Sequence, residues 1–466
     1  MNDSIILQPA LYAEGNVQLP GSKSISNRVL LLAALASGKT FISNLLESDD
    51  THVMLNALTK LGVKWSFEEN ESIRKYCVEG INGHFPVKEA SLFMGNAGTA
   101  IRPVTAALAI YQGHYQISGV ERMHQRPIGN LVDALRQLGA DIRYLGEKGF
   151  PPLEINPAIL RIPNEITING SVSSQFLTSI LMSLPLLANN QVSTNRLAET
   201  NDVVLNKALS AEFNDFQHTI EYCRVSIIDT LISRPYINIT LNLLKQFGID
   251  IVHSEKSFFD VPIKPLQSPG NIFVEGDAST ASYFLAAGVI GGGPVCVQGV
   301  GQNSCQGDIA FLDALAMMGA EISKGPNWLS AAAPIGGKKL RAIDIDCNAI
   351  PDAAMTLAIV ALFAQGKTCL SNIASWRVKE TDRIAAMATE LRKLGAQVEE
   401  GEDWITVSRS GPLKNHIEID TYDDHRMAMC FSLVKWAGLT VIIKDPQCVS
   451  KTFPNYFEYL AAITKH

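Results

Sequence analysis

Lys23 and Arg28 stand five residues apart in Pro20-Gly21-Ser22-Lys23-Ser24-Ile25-Ser26-Asn27-Arg28, which runs straight into the apolar stretch Val29-Leu30-Leu31-Leu32-Ala33-Ala34-Leu35-Ala36. Small and hydroxylated residues leading into strong helix formers read as a helix N-terminus. Free backbone N–H groups and the positive end of the helix dipole gather there, so two cations and three serines at that point suit a phosphate or a carboxylate. An ordinary capped surface helix with a solvated Lys fits the nonapeptide equally well on its own. The GxxxxGK[ST] spacing of a P-loop is absent. Further cations stand at comparable points along the chain: Arg102, Arg126, Arg234, Lys379, Arg383, Arg426 and Lys451. Arginines gathered on one cleft would select a ligand with more than one phosphate or carboxylate.

The acids are less telling. Asp352, in Ile350-Pro351-Asp352-Ala353-Ala354-Met355, precedes an apolar run and reads by itself as a plain helix cap. Glu380 and Asp382 lie in Trp376-Arg377-Val378-Lys379-Glu380-Thr381-Asp382-Arg383, where a solvated, charged helix face is the simple reading. His425, between Asp424 and Arg426, fits either a proton-transfer group or a hydrogen-bonded cap. Ser-His-Asp catalysis has no GxSxG stretch to start from.

The elements that must position these residues come from a chain of 466 residues, long enough for two or three full-sized cores. A formal net charge of −7 gives no bulk attraction to nucleic acid or to an acidic membrane, so a basic site must be a local concentration of Lys and Arg. No apolar run approaches the ~18 residues of a membrane span, and the start has no signal-peptide pattern. The eight cysteines are scattered without a CxxC, which fits reduced thiols in a cytoplasmic protein and gives no support to a metal site.

The small-polar-to-apolar-helix signature recurs at Gly95–Arg102, Gly170–Phe176, Gly276–Ser282, Pro351–Thr356 and Tyr422–Met427. A second signature, a helix end followed by Gly and an alternating strand, places Gly62, Gly139, Gly248, Gly319 and Gly395 between these starts. The first signatures, at 21, 95, 170, 276, 352 and 423, are spaced 74, 75, 106, 76 and 71 residues apart. Six units of about 75 residues follow, with an excess of roughly 30 in the third interval. That excess is assigned to a surface insertion at about 190–222, including a short helix over 202–209, and carries no catalytic constellation. Six units exceed one core and predict two globules of three units each. The expected division is 21–275 for the first and 1–20 with 276–466 for the second, with chain crossings near Leu19-Pro20-Gly21 and Ser268-Pro269-Gly270. Helix N-termini from both globules would then aim positive potential into the gap.

The stretches PGSKSISNR, GNAGTAIRP, RPIG, GSVSSQF, PDAAMT, WRVKETDR, DHRMAM and Val449-Ser450-Lys451-Thr452-Phe453-Pro454 occur here in order. In them the chain resembles the EPSP synthases (3-phosphoshikimate 1-carboxyvinyltransferases) of the enolpyruvyl transferase family, over essentially its whole length apart from the insertion. The resemblance implies an α/β fold of two globular domains, each of three βαβαββ units in an inside-out α/β barrel, with ligands in the cleft between them. It implies transfer of the enolpyruvyl group of phosphoenolpyruvate to the 5-hydroxyl of 3-phosphoshikimate, with release of phosphate, in the shikimate pathway to aromatic amino acids. It also implies sensitivity to glyphosate.

Residue by residue, Lys23, Ser24, Arg28, Ser173, Ser174, Gln175, Ser233, Asp352, Ser375 and Lys379 match the family's contacts to 3-phosphoshikimate. Lys23, Gly98, Arg126, Gln175, Arg383, Arg426 and Lys451 match those to phosphoenolpyruvate. Asp352 takes the role of accepting the proton of the attacking hydroxyl; Glu380 and Lys23 are the candidates for the proton at the methylene carbon, unranked. No cofactor and no metal are expected, nor a nucleic-acid or membrane partner; a cytoplasmic monomer is. Two positions depart from the family pattern: Ser375 replaces an Asn before Trp376, and Arg234 replaces a Lys after Ser233. Two rivals remain: the sister transferase acting on UDP-N-acetylglucosamine, whose catalytic Cys has no counterpart between Cys77 and Cys223 here, and a non-catalytic anion-binding protein on the same scaffold.

Overall fold

The computed structural model describes residues 4–70, 73–188, 221–254 and 257–466. The insertion assigned to 190–222 lies outside the described residues but for its last two, as does the helix expected over 202–209. Each of the six expected helix starts opens a helix: Lys23–Leu35, Gly98–Ile110, Ser174–Ser183, Ala278–Ile290, Ala354–Val360 and His425–Ser432. Gly62, Gly139, Gly248, Gly319 and Gly395 all stand at positive φ, between 85° and 100°, just past a helix. A left-handed residue closes a helix there without the Cβ clash that an ordinary side chain would bring.

The starting helices are apolar nearly all round and are buried accordingly; every residue from Ile25 to Leu35 is buried. Sheets cover them. The unit that opens at Gly95 shows the pattern: Glu89–Phe93 runs parallel to His114–Ser118 across the intervening helix, and Leu153–Asn156 and Asp141–Tyr144 complete the sheet antiparallel. Strand His114–Ser118 alternates exposed and buried residues, with one face on the helices and one toward solvent. Helices inside and sheets outside make the two barrels inside-out. Side chains pack into two cores, one spanning Ile25 to Val274 and the other joining Leu7–Leu19 to Ala278–Ile463.

The chain is stitched between them by strand exchange. Strand Tyr12–Gln18 pairs in parallel with Gly292–Gln298, and Ser4–Leu7 pairs with Val441–Lys444, so the N-terminus completes sheets of the second core. In return, Asn271–Phe273 pairs in parallel with Lys39–Ser43 in the first. The second crossing therefore falls beyond Val274, not at Ser268-Pro269-Gly270. Ser268 is held in the first core by bonds to Thr40 Oγ1 and Lys39 O, each 2.7 Å, and sequence alone had only the Pro-Gly pair to mark a break. The crossing strands touch at a Gly21–Gly276 bridge, flanked by Ser22 N–H to Glu275 O at 2.8 Å and Asp277 N–H to Pro20 O at 3.0 Å.

A Cβ at Gly21 would lie 2.0 Å from the Asn44 carbonyl oxygen, which is backbone and has nowhere to go. Gly21→Ala should therefore lose ~1–3 kcal/mol of stability in urea unfolding. Gly411→Ala, where nothing lies within 4 Å, should change little. Equal effects at the two positions would contradict this account of the crossing.

Candidate active site

Lys23, Ser24, Arg28, Gly98, Arg126, Ser173, Ser174, Gln175, Ser233, Asp352, Ser375, Lys379, Glu380, Arg383 and Arg426 all line one cleft where the two cores meet. Lys451 adjoins it: its Nζ donates to Asn96 O at 2.9 Å and stands 3.7 Å from Glu380 Oε1 and 3.8 Å from Asp50 Oδ1. The structure thus brings every expected site residue to one place.

The first core supplies helix starts and guanidinium groups. The helices opening at Lys23 and Gly98 have no side-chain cap, whereas Ser173 caps the next by accepting from Gln175 N–H at 3.3 Å. Arg28 and Arg102 are equivalent in the repeat: each Nη1 donates to the carbonyl four residues back, Ser24 at 2.7 Å and Gly98 at 3.4 Å. Arg102 also holds Gln175 Oε1 at 2.7 Å, and Arg126 holds Asn96 Oδ1 at 2.9 Å. Burial, with Arg126 nearby, pushes Arg102 down to about 9. The Nε donors of Arg102, Arg126 and Arg426 are buried without a hydrogen-bond partner. Unsatisfied cationic donors lining a cleft are what an anionic ligand requires.

The second core supplies a charge cluster. Asp352 accepts from Arg383 Nη1 and Arg426 Nη2, each at 2.9 Å, with Lys379 Nζ at 3.8 Å and the Tyr236 hydroxyl donating across from the first core at 2.6 Å. Arg383 is spread over three carboxylates, reaching Glu380 Oε2 at 2.8 Å and Asp424 Oδ2 at 2.7 Å as well. Burial alone would push Asp352 up, but Arg426, Lys379 and Arg383 outweigh it and hold this carboxyl well below its usual range. Glu380 follows the same pattern, with Arg383, Lys451, Arg126 and Lys23 overcoming burial. Lys23 is lowered by burial, partly offset by Asp50 and Glu380.

Three simple readings of the sequence do not survive this geometry. Asp352 is not a cap, because Ala353 occupies the N-cap position and the carboxylate is turned to the arginines. Glu380 is not on a solvated helix face. A 3-10 helix ends at Val378 and the next helix begins at Arg383 under an Asp382 cap, so Lys379 and Glu380 sit on the turn between. His425 is neither cap nor hydrogen-bonded: Asp424 caps that helix, neither ring nitrogen makes a hydrogen bond although Nδ1 stands 3.6 Å from Asp424 Oδ1, and burial, with Lys23 and Arg426 adding, lowers its pKa well below the usual value, so the ring is neutral.

Three residues escaped the sequence reading of the site, and a fourth, Arg102, stood there only as one of the cations at the repeat starts, without a ligand assigned to it. Tyr236 follows the Ser233-Arg234-Pro235 turn, and only the fold shows its phenol reaching Asp352. Arg102 had a signal in its i+4 spacing from Gly98, the same as Arg28 from Ser24. Asp50 pairs with Lys23 at 3.7 Å and had none. Asp308 lies behind Asp352, receiving the Ser279 hydroxyl and the Ala353 N–H, the latter at 3.4 Å. Among the described residues, no group of three His, Cys, Asp or Glu is placed to hold a metal.

Two inside-out α/β globules meeting on a cation-rich seam define a class of protein built to hold anions between its halves. The family profile of EPSP synthase (3-phosphoshikimate 1-carboxyvinyltransferase) matches residues 7–211 and 218–460. The chain belongs to this family. It is 56% identical over 466 residues to the 3-phosphoshikimate 1-carboxyvinyltransferase of Cupriavidus taiwanensis, covering 99% of this chain and 100% of that one. It is likewise 56% identical over 461 residues to that of Cellvibrio japonicus, covering 98% and 99%. Among solved structures, the EPSP synthase of Acinetobacter baumannii superposes with a TM-score of 0.73 at 26% identity, over 98% of each chain. The enolpyruvyl transferase NikO of Streptomyces tendae shares the fold, with a TM-score of 0.69 at 18% identity over 99% of this chain and 97% of that one.

Burial, with Asp352 beside it, pushes Asp308 up to about 7 from an ordinary 3.8. A carboxyl whose folded pKa is raised holds its proton more tightly folded than unfolded. Stability contributed at low pH is therefore lost as pH rises from about 3.8 to about 7. Asp308→Asn removes that penalty. Its thermal midpoint relative to wild type should climb between about pH 4 and pH 8. A difference that stays flat across that range would contradict the assignment.

Proposed function

We propose that this transferase moves the enolpyruvyl group of phosphoenolpyruvate to the 5-hydroxyl of 3-phosphoshikimate, forming 5-enolpyruvylshikimate 3-phosphate and phosphate in the shikimate pathway. The observation that carries the reading is the seam itself. Both substrates are phosphate-bearing carboxylates, and guanidinium and ammonium groups from both cores converge there with unpartnered donors. Ser24, Arg28, Ser173, Ser174, Gln175, Ser233, Ser375 and Lys379 bind 3-phosphoshikimate, joined by Tyr236. Gly98, Arg126, Arg383, Arg426 and Lys451 bind phosphoenolpyruvate, with Lys23 and Gln175 touching both.

The chemistry is addition followed by elimination. The 5-hydroxyl oxygen attacks the enol carbon as its proton passes to Asp352, and the methylene carbon takes a proton to become a methyl. The tetrahedral intermediate then loses that methyl proton and expels phosphate. Asp352 in the free protein is a weak base, because three cations neutralise it. Anionic substrates that draw Arg426 and Lys379 toward themselves raise its proton affinity at the moment a base is needed. Of the two candidates at the methylene carbon, Lys23 carries a proton to give, while Glu380 is held ionised and suits its removal. Cations left facing the phosphate stabilise its departure.

We assign residues 21–275 to one domain and 1–20 with 276–466 to the other, a division supported by the two separate cores. No helix among the described residues is long and apolar enough to cross a membrane, and all eight cysteines are unpaired. A cytoplasmic location fits both facts, and we propose it together with a monomeric state. Phosphate release from phosphoenolpyruvate should require 3-phosphoshikimate. Release without it, or with UDP-N-acetylglucosamine in its place, would overturn the reading.

Asp352→Asn leaves Arg383, Arg426 and Lys379 in place but removes their counter-charge and the base. Turnover should fall on the order of 100-fold or more while KM for phosphoenolpyruvate stays level or drops. Turnover near that of wild type would remove Asp352 from the mechanism.

At Gly98 a Cβ would stand 2.6 Å from Arg126 Nη2 and 2.9 Å from Arg102 Nη1, so a methyl pushes two cleft guanidinium groups aside, Arg126 among the phosphoenolpyruvate contacts. Glyphosate, a longer phosphonate-carboxylate than phosphoenolpyruvate, should inhibit competitively with it. Gly98→Ala should weaken glyphosate more than substrate, by ~10- to 200-fold. Inhibition curves at several phosphoenolpyruvate concentrations test this; inhibition unaffected by the methyl would place Gly98 elsewhere.

A further inference from the structure

Arg122, four residues before Arg126, is half-buried on a 3-10 helix of the first core, Glu121–Gln125, and its side chain reaches across the seam. Its Nε donates to Glu380 O at 3.0 Å, and its Nη2 to Lys379 O at 3.0 Å and to Arg377 O at 3.5 Å. Those carbonyls belong to the end of the Ala374–Val378 3-10 helix and the turn after it, where no sheet ladder holds the backbone. The turn carries Lys379 and Glu380, whose side chains meet Asp352 and Arg383 in the cleft. From its own side it is fixed by Arg377, which donates to Asp382 Oδ2 at 2.7 Å and to Glu402 O at 2.8 Å.

We propose that Arg122 is a positioning residue: by gripping three carbonyls across the cleft, it sets where Lys379 and Glu380 point and ties that placement to the meeting of the two globules. A planar guanidinium can donate to several carbonyls at once from a fixed fork, which the single ammonium of Lys cannot reproduce. The contact exists only while the globules touch, so it favours the joined state over any separated one. Misplacing a catalytic group by about 1 Å lowers turnover by as much as ~100-fold, so a grip on the backbone that carries two of them has leverage on rate.

The inference rests on the enolpyruvyl-transfer reading for its kinetic arm and for the ligands of its exchange arm. Arg122→Ala and Arg122→Lys are compared with wild type for kcat, for KM toward each substrate, and for thermal midpoint. Amide exchange over residues 377–382 is followed with and without 3-phosphoshikimate plus glyphosate. Arg122→Ala should lower kcat by ~10- to 100-fold, with a smaller rise in KM and little change in thermal midpoint. Arg122→Lys should recover little of that loss. The segment should gain ligand-dependent protection in wild type and lose it in both variants. Turnover like wild type in Arg122→Ala, full recovery with Lys, or unchanged protection would each overturn the proposal. A wild type that releases no phosphate from the substrate pair would instead overturn the transfer reading, leaving exchange over residues 377–382 without ligand, faster in both variants than in wild type if Arg122 grips that backbone, to judge Arg122.

Discussion

More positive than negative charge is buried at the seam between the two cores, and the rest of the structure can be understood from that imbalance. Lys23, Arg28, Arg102, Arg126, Lys379, Arg383, Arg426 and Lys451 stand in or beside the cleft. Asp50, Asp352, Glu380 and Asp424 are the carboxylates paired with them. Taking charges out of water is expensive unless each is paired and hydrogen-bonded. Arg383 meets that demand with three carboxylates, whereas Arg102 and Arg126 keep buried donors without partners. Such a site is stabilised by anions from outside. It selects ligands with several negative groups and repels itself when they are gone.

The fold answers the problem of delivering so many cations to one surface. Six helices begin at the seam because one supersecondary unit is repeated, and the repeat puts equivalent residues at equivalent points, as Arg28 and Arg102 show. Burying those helices on all sides leaves their starts as their functional ends. Strand exchange through Gly21 and Gly276 joins the halves by two short segments side by side, with the remaining contacts across the cleft made by side chains such as Tyr236, Lys451 and Arg122. Two segments and a set of polar contacts suit halves that separate and rejoin.

Much of this was legible in the sequence because repetition is a strong signal. The spacing of the six helix starts, at 21, 95, 170, 276, 352 and 423, revealed six units, and Gly62, Gly139, Gly248, Gly319 and Gly395 between them each close a helix in the left-handed region. The motifs around Lys23, Gly98, Arg126 and Lys379 pointed to the cleft. What stayed hidden was long-range. The strand Asn271–Phe273 belongs to a sheet begun more than two hundred residues earlier, and a Pro-Gly pair just before it looked like the natural break. Asp352 looked like a cap because short-range reading sees only the helix after it, not the arginines 31 and 74 residues on. Asp308 and Asp50 act through partners that no local pattern announces.

We propose that this buried charge excess favours separated globules when anions are absent and joined ones when anions bind. Small-angle X-ray scattering of the free protein, and of the protein with 3-phosphoshikimate and glyphosate together, tests it most directly. The account predicts a larger radius of gyration for the free protein, falling on addition of both ligands to the value of the joined arrangement described above. An identical radius in the two states would contradict it.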